Sequence, residues 1–314
     1  MKLLALCAAL YACGTLLLGF LRDDDGAPTK RRRSAAVPKT APPKKADVAM
    51  VAPFVGARLP AFFKAFAHSC RASAGAVDFL VLLSDPGAIP SEARAFASGK
   101  GPPPPWLPSN VKFVGVGENR FARLHARIPF PQKKHLFPGD HDIDEAREPL
   151  AAALLDAFRR NGRQLVEYKP TIGIVFAEYL KNYTHWAFGD VDVLVGDLGR
   201  FLDADELRAF DVVSYSFGDN WRAYARGQWT LHRNGPRANV AYANCPFLSE
   251  AELESRLRRG AHYESAEGCY STALKQAKLR FKIVTKHFTD ATQHGDADAA
   301  WLAEGEIRRC GGDA

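Results

Sequence analysis

Residues 185–195 read His-Trp-Ala-Phe-Gly-Asp-Val-Asp-Val-Leu-Val, with Asp190 and Asp192 spaced one residue apart between two apolar runs. The first run has the aromatic and apolar content of a covered β-strand, and the strand runs into its carboxylates. Gly196-Asp197 follows. Carboxylates at i and i+2, placed where a strand bends into a loop, reach one ion together, directly or through water. Hard oxygen ligands of this kind suit Mn²⁺ or Mg²⁺. The plainer alternative is an acidic pair that caps the stretch Leu198 to Leu202.

The neighbouring segments fit an α/β fold. Asp47 to Val51 is a short strand stopped by Pro53, and Leu59 to Cys70 has helical spacing with Phe62, Phe63, Phe66 and Ala67 on one side. Val77 to Leu83, VDFLVLL, is a continuous apolar run, as expected of a strand covered on both faces. Asn110 to Val116 is a third strand, and Pro102 to Pro105 mark a surface loop before it. Pro170 to Tyr183 reads as a helix leading into the acidic strand. Phe210 to Ser216, Gln228 to His232 and Arg280 to Thr285 are further strands, and Ala251 to Arg259 is an amphipathic helix. This order predicts a doubly wound, mostly parallel sheet flanked by helices. In such sheets ligands bind beyond the carboxyl ends of the strands. His141, Asp142 and Asp144 in the polar loop from Lys133 to Pro149 resemble metal ligands, but an exposed acidic loop explains them as well.

The N-terminus differs in composition. Leu3 to Leu21 is 19 residues without a charge, long enough to span roughly 28 Å of hydrocarbon as a helix. Residues 1–21 read as a signal-anchor, with a long cleaved signal peptide as the alternative. Residues 22–45 form a basic, Pro-rich stem with eight Lys/Arg and three Asp. The stem and Lys2 account for six of the seven net positive charges, which leaves +1 for residues 46–314, the expected catalytic domain. A nucleic-acid reader carries its basic patch on the folded body, so nucleic acid is not an expected partner. The basic flank alone argues for a cytoplasmic body. The two-residue N-tail leaves export as the role of the apolar segment, so the body is read as luminal, in the Golgi or endoplasmic reticulum. Cleavage would make it a secreted protein. Cys70, Cys245, Cys269 and Cys310 allow two disulfides in an oxidising lumen, or four thiols. Asn182-Tyr183-Thr184 is the one N-glycosylation sequon, close to the start of the acidic strand.

Several stretches resemble a poorly characterised family of DxD-containing, glycosyltransferase-like proteins of the GT-A (nucleotide-diphosphosugar transferase) superfamily. They are VAPFVGARLPAFFKAFAHSC (51–70), VDFLVLLSD (77–85), EYKPTIGIVFAEYLKNYTHWAFGDVDVLVGDLGRFL (167–202) and GQWTLHRN (227–234). The resemblance implies a GT-A-like fold that transfers a sugar from a nucleotide-diphosphosugar donor to a glycan or glycoconjugate acceptor, with Mn²⁺ or Mg²⁺ as cofactor. Asp190 and Asp192 match the DxD, with Asp192 expected to contact the metal. Tyr168 and Lys169 match an aromatic-Lys-Pro element near the nucleotide, where a lysine pairs with phosphate. Pro53, Phe54 and Asp85 end the first two strands and would face the base or ribose. Gln228 and Thr230 match a Gly-His-aromatic-Thr element in which the family often has His at the position of Gln228; it usually has Asp at Glu167. Late histidines commonly supply a third metal ligand in such enzymes, which makes His287 and His232 candidates. Glu264 and Glu267 resemble the family's acidic segment and are candidates for the base that activates the acceptor hydroxyl.

Two other readings compete. One is a luminal binding protein that keeps the fold without turnover. The other is a haloacid-dehalogenase-type phosphatase with Asp190 as nucleophile. The phosphatase motif wants Thr or Val at the position of Leu194 and a later acidic pair, where Gly218-Asp219-Asn220-Trp221 offers one acid.

Overall fold

The computed structural model describes residues 46–129, 147–216, 225–259, 268–285, 289–290, 299–301 and 307–309. Its centre is a seven-stranded sheet in the order β3-β2-β1-β4-β7-β6-β8. The strands are β1 (Val48–Phe54), β2 (Val77–Leu83), β3 (Val111–Gly115), β4 (His185–Gly189), β6 (Val212–Ser216), β7 (Trp229–Arg233) and β8 (Phe281–Thr285). β1 pairs in parallel with β2 and β4, β2 with β3, and β6 with β8. β7 alone is reversed, antiparallel to both β4 and β6. The protein is therefore α/β with a mostly parallel mixed sheet flanked by helices. β5 (Val193–Leu194) lies outside this sheet and pairs with β9 (Thr289–Asp290), and β10 (Ala299–Trp301) pairs with β11 (Ile307–Arg309).

Alternation along the strands sorts their side chains into two cores, one on each face. Ala49 and Val51, Leu80 and Leu82, and Trp186 and Phe188 face one core with Phe121, Phe158, Phe176 and Tyr270. Val48 and Met50, Phe79 and Val81, and Ala187 face the other with Phe63 and Phe66. All seven residues of β2 are buried, as its unbroken apolar run predicts. Asp78 is the polar exception. Its carboxylate accepts from Lys112 Nζ at 2.5 Å and from Tyr183 Oη at 2.7 Å, which offsets the cost of burying it.

Several sequence expectations need correction. Pro53 does not stop β1, which runs to Phe54. Ser84 N donates to Phe54 O, so Phe54 faces β2 and Pro53 faces the β4 side. The β1–β4 ladder ends at Val51 and Phe188, so no ladder partner is lost by a residue without an N–H. The helix expected over Pro170 to Tyr183 is a 3₁₀ segment, Gly162–Thr171, followed by two short turns of α-helix, Ile172–Val175 and Ala177–Leu180. Phe176 between them breaks the helical geometry (φ −112°, ψ 24°) and is fully buried against Phe121 and His125. Two helices that the hydrophobic pattern left unassigned, Glu118–His125 and Glu148–Arg160, cover the face that holds Trp186.

Cys245 and Cys269 form a disulfide, whereas Cys70 is a buried thiol that donates to Phe66 O. Cys310 lies outside the described residues, as do the Leu3 to Leu21 segment, the basic stem, and His141, Asp142 and Asp144. Among the described residues no helix is long and apolar enough to cross a membrane.

Candidate functional site

β1 turns one way through β2 to β3, while β4 leads the other way to β7. The switch point of the sheet therefore lies between β1 and β4, the place where open α/β sheets form a crevice. The β1–β4 ladder ends three residues before β1 does, so the two strands part at their carboxyl ends. A cleft of about 810 Å³ opens there. Its floor comes from Ala52–Val55 at the end of β1 and from Gly189–Asp192 after β4. Glu167 and Lys169 of the 3₁₀ segment and Gly227-Gln228 before β7 close its sides.

Gly189 sets how tightly these pieces meet. A Cβ there would stand 2.5 Å from Met50 Cε and 2.8 Å from Gln228 O. The methionine end can swing away, but the carbonyl belongs to the backbone just before β7. Gly189→Ala is expected to cost about 1–3 kcal/mol through overpacking, read as a lower urea midpoint. An unchanged midpoint would show that the β4–β7 contact yields freely.

Beyond Gly189 the backbone leaves the strand, and Asp190-Val191-Asp192 is a turn before β5. The carboxylates stand at the end of β4, as the sequence predicts, and the apolar stretch after them forms a second short strand, β5. Lys169 is buried and its Nζ forms a close ion pair with Asp190 Oδ1, and it also donates to Gly227 O at 3.0 Å. Burial of a lysine is costly unless it is paired. Here the pair joins the 3₁₀ segment, the acidic turn and the loop before β7 in one arrangement. That loop is held in turn: Arg226 N donates to Ser214 Oγ at 2.7 Å, and Thr230 Oγ1 donates to Arg226 O at 2.8 Å.

Of the residues singled out from the sequence, Pro53, Phe54, Lys169, Asp190, Asp192 and Gln228 line this one cleft. Others lie elsewhere. Thr230 is fully buried and bonded to Ser214, so it orders the loop beneath Gln228 and does not reach the cleft. Tyr168 is 4% exposed, with its ring edge-on to His125 and Phe158 in the core. Asp85 accepts from Gly87 N at 2.7 Å and caps the turn after β2. His232 does not line the cleft. It is fully buried and stacks on Trp186 with ring centroids 3.9 Å apart. Burial lowers its pKa from 6.5 to about 3. His287, Glu264 and Glu267 lie outside the described residues.

Sequence reasoning missed the outer wall. Arg160, Asn161, Gly162 and Arg163 line the cleft where the helix Glu148–Arg160 gives way to the 3₁₀ segment. Asn161 Oδ1 accepts from Arg163 N at 3.1 Å and shapes the turn. Gly162 lets the turn lie against β1, since a Cβ there would be 3.3 Å from Val55 O. The signal was present as Arg-Arg-Asn-Gly-Arg, a basic helix terminus followed by Asn-Gly.

Among the described residues no group of three or more His, Cys, Asp or Glu could hold a metal. The donor set still suits a hard cation bound in part by its substrate: Asp192, Asp190, and the Gln228 amide, whose Oε1 is buried with no hydrogen-bond partner among the described residues. Mg²⁺ and its analogues are commonly held by one or two carboxylates together with substrate phosphates.

Fold and site together define an α/β protein with an acidic turn and a buried lysine in its switch-point cleft. Residues 159–297 match the model of a family of unknown function, DUF6625, and the match includes the basic turn, Lys169, both aspartates and Gln228. No curated protein matches the chain.

Proposed function

We propose that this protein is a metal-dependent glycosyltransferase with a GT-A-like fold that uses a nucleotide-diphosphosugar donor and a glycan or glycoconjugate acceptor in the lumen of the secretory pathway. The observation that carries the reading is the position of Asp190 and Asp192. They stand on the turn at the carboxyl end of β4, beside the switch point, in a cleft with volume for a nucleotide sugar. The resemblance to GT-A proteins requires a mostly parallel sheet with this crevice. The disulfide Cys245–Cys269 supports an oxidising compartment.

In this reading Asp192 holds Mn²⁺ or Mg²⁺, with Asp190 beside it already balanced by Lys169. The bound ion supplies charge stabilisation for the departing diphosphate. Lys169, tied to Gly227 O, fixes Asp190 beside the place where the ion would sit. Phe54 and Pro53 give the cleft an apolar wall for the planar base. Arg160, paired with Asp156 one helical turn back, and Arg163 stand on the outer wall and give it a basic character toward a charged donor or acceptor.

Thermal melting of the purified body, with a panel of nucleotide sugars and with or without Mn²⁺, tests the reading. One donor class is expected to raise the midpoint by about 5–10 °C at a hundredfold excess over its Kd, and only with the ion present. A flat panel with every donor and metal removes the proposal. A shift without donor hydrolysis or transfer selects the binding-protein alternative.

A further inference from the structure

We infer that Asn182 carries an N-linked oligosaccharide. Asn182-Tyr183-Thr184 forms the turn that leads into β4, and the two outer residues are exposed while Tyr183 tucks inward. The Tyr183 hydroxyl is anchored on Asp78. The backbone of the turn is pinned on every side but that of Asn182. Asn234 Nδ2 donates to Leu180 O at 2.9 Å and to Tyr183 O at 3.0 Å, and Asn234 N donates to Thr184 O. Thr184 Oγ1 donates to Asp47 O at 3.0 Å. The Asn182 carboxamide makes no hydrogen bond among the described residues, so the turn holds its shape whether or not that nitrogen is substituted. A side chain that points to solvent from a rigid turn accepts a bulky group without loss of packing.

The placement also suits the proposed site. The cleft lies at the carboxyl end of β4 and Asn182 precedes its amino end. The five residues of β4 between them extend about 16 Å, so a glycan on Asn182 leaves the cleft open. The inference rests on the luminal placement proposed above, which the Cys245–Cys269 disulfide supports independently of the sequon.

The chemistry needs one co-reactant, a polyisoprenyl-diphosphate-linked oligosaccharide, and the host's transferase. The Asn182 amide nitrogen forms a bond to the anomeric carbon and gives its proton to a base of that transferase. The bond from the anomeric carbon to the phosphate oxygen breaks, and the lipid diphosphate leaves with the electron pair. No oxidation or reduction occurs.

The test uses the full chain expressed in a eukaryotic cell, with glycosidase digestion, peptide mass mapping of Asn182, and mapping of the Cys245–Cys269 pair in the same sample. The expected result is a single-step mobility shift on digestion that is lost completely in Asn182→Gln and in Thr184→Ala, and kept in Thr184→Ser. An unmodified Asn182 in a chain whose Cys245–Cys269 bond is formed overturns the glycan while leaving the lumen intact. An unmodified Asn182 beside reduced cysteines overturns both the glycan and the luminal reading.

Discussion

Asp192→Asn is expected to lower sugar transfer roughly a thousandfold or more, with a thermal midpoint close to that of the parent protein. The substitution keeps the side-chain volume and removes the charge that offsets the cation. Lewis-acid stabilisation of a leaving group is worth several kcal/mol, and each 1.4 kcal/mol is about tenfold in rate. Stability should hold because Asp192 is half-buried on a turn, outside both cores. Asp190→Asn should behave differently. It leaves Lys169, which is 8% exposed, without its ion-pair partner, so it is expected to lower the melting midpoint as well as the rate. The two variants thus separate a metal ligand from a positioning carboxylate. A phosphoryl-aspartate on Asp190, or full activity of Asp192→Asn in excess chelator, would falsify the transferase reading.

The parts of this site that were legible in the sequence are those fixed by neighbours in the chain. VDFLVLL must be a covered strand because seven consecutive side chains alternate faces and all are apolar save Asp78. The run from Trp186 to Phe188 likewise had to pair, and the two aspartates after it had to fall at its end. What the sequence left open depends on which distant residues meet. Lys169 and Asp190 are 21 residues apart, and nothing local distinguishes a lysine aimed at a substrate phosphate from one aimed at a carboxylate. The family resemblance places Thr230 and Tyr168 at the ligand, yet both are buried beneath the cleft and order its walls. The basic turn from Arg160 to Arg163 reaches the cleft only because the helix Glu148–Arg160 brings it against the end of β1, a contact that nothing local in the sequence specifies. The disulfide shows the same limit: four cysteines outside the apolar segment allow several pairings, and only tertiary structure selects Cys245 with Cys269.

Acid should weaken this protein well above the pH at which its carboxylates titrate, and His232 should be a main cause. The resemblance makes this histidine a candidate metal ligand, but its surroundings are Trp186, Phe188 and Tyr270. Neither ring nitrogen completes a hydrogen bond among the described residues, and backbone groups of Trp186 and Thr230 offset only part of the burial. His125 is buried among Phe121, Phe158 and Phe176 and bonds Phe121 O through Nδ1, with its pKa lowered to about 4. His185 is lowered too, first by burial. Below the ordinary histidine pKa of 6.5 the unfolded chain binds protons that the folded chain refuses, so stability rises with pH in this window. The stability contributed by the neutral rings is complete above about pH 6.5, and for His232 and His125 it drains away as pH falls toward about 3 and about 4. Each proton costs about 1.4 kcal/mol per pH unit, so His232 and His125 together remove roughly 4 kcal/mol between pH 7 and pH 5. That is a large share of the 5–15 kcal/mol typical of a folded protein. His232→Phe keeps a flat ring against Trp186 and deletes the proton site. Its absolute stability depends on how the core accepts the larger ring, but its loss on going from pH 7 to pH 5 should be about half that of the parent protein. Urea titrations at the two pH values measure this difference directly. If the parent and His232→Phe lose the same stability over that interval, the ring at position 232 is not what acid attacks.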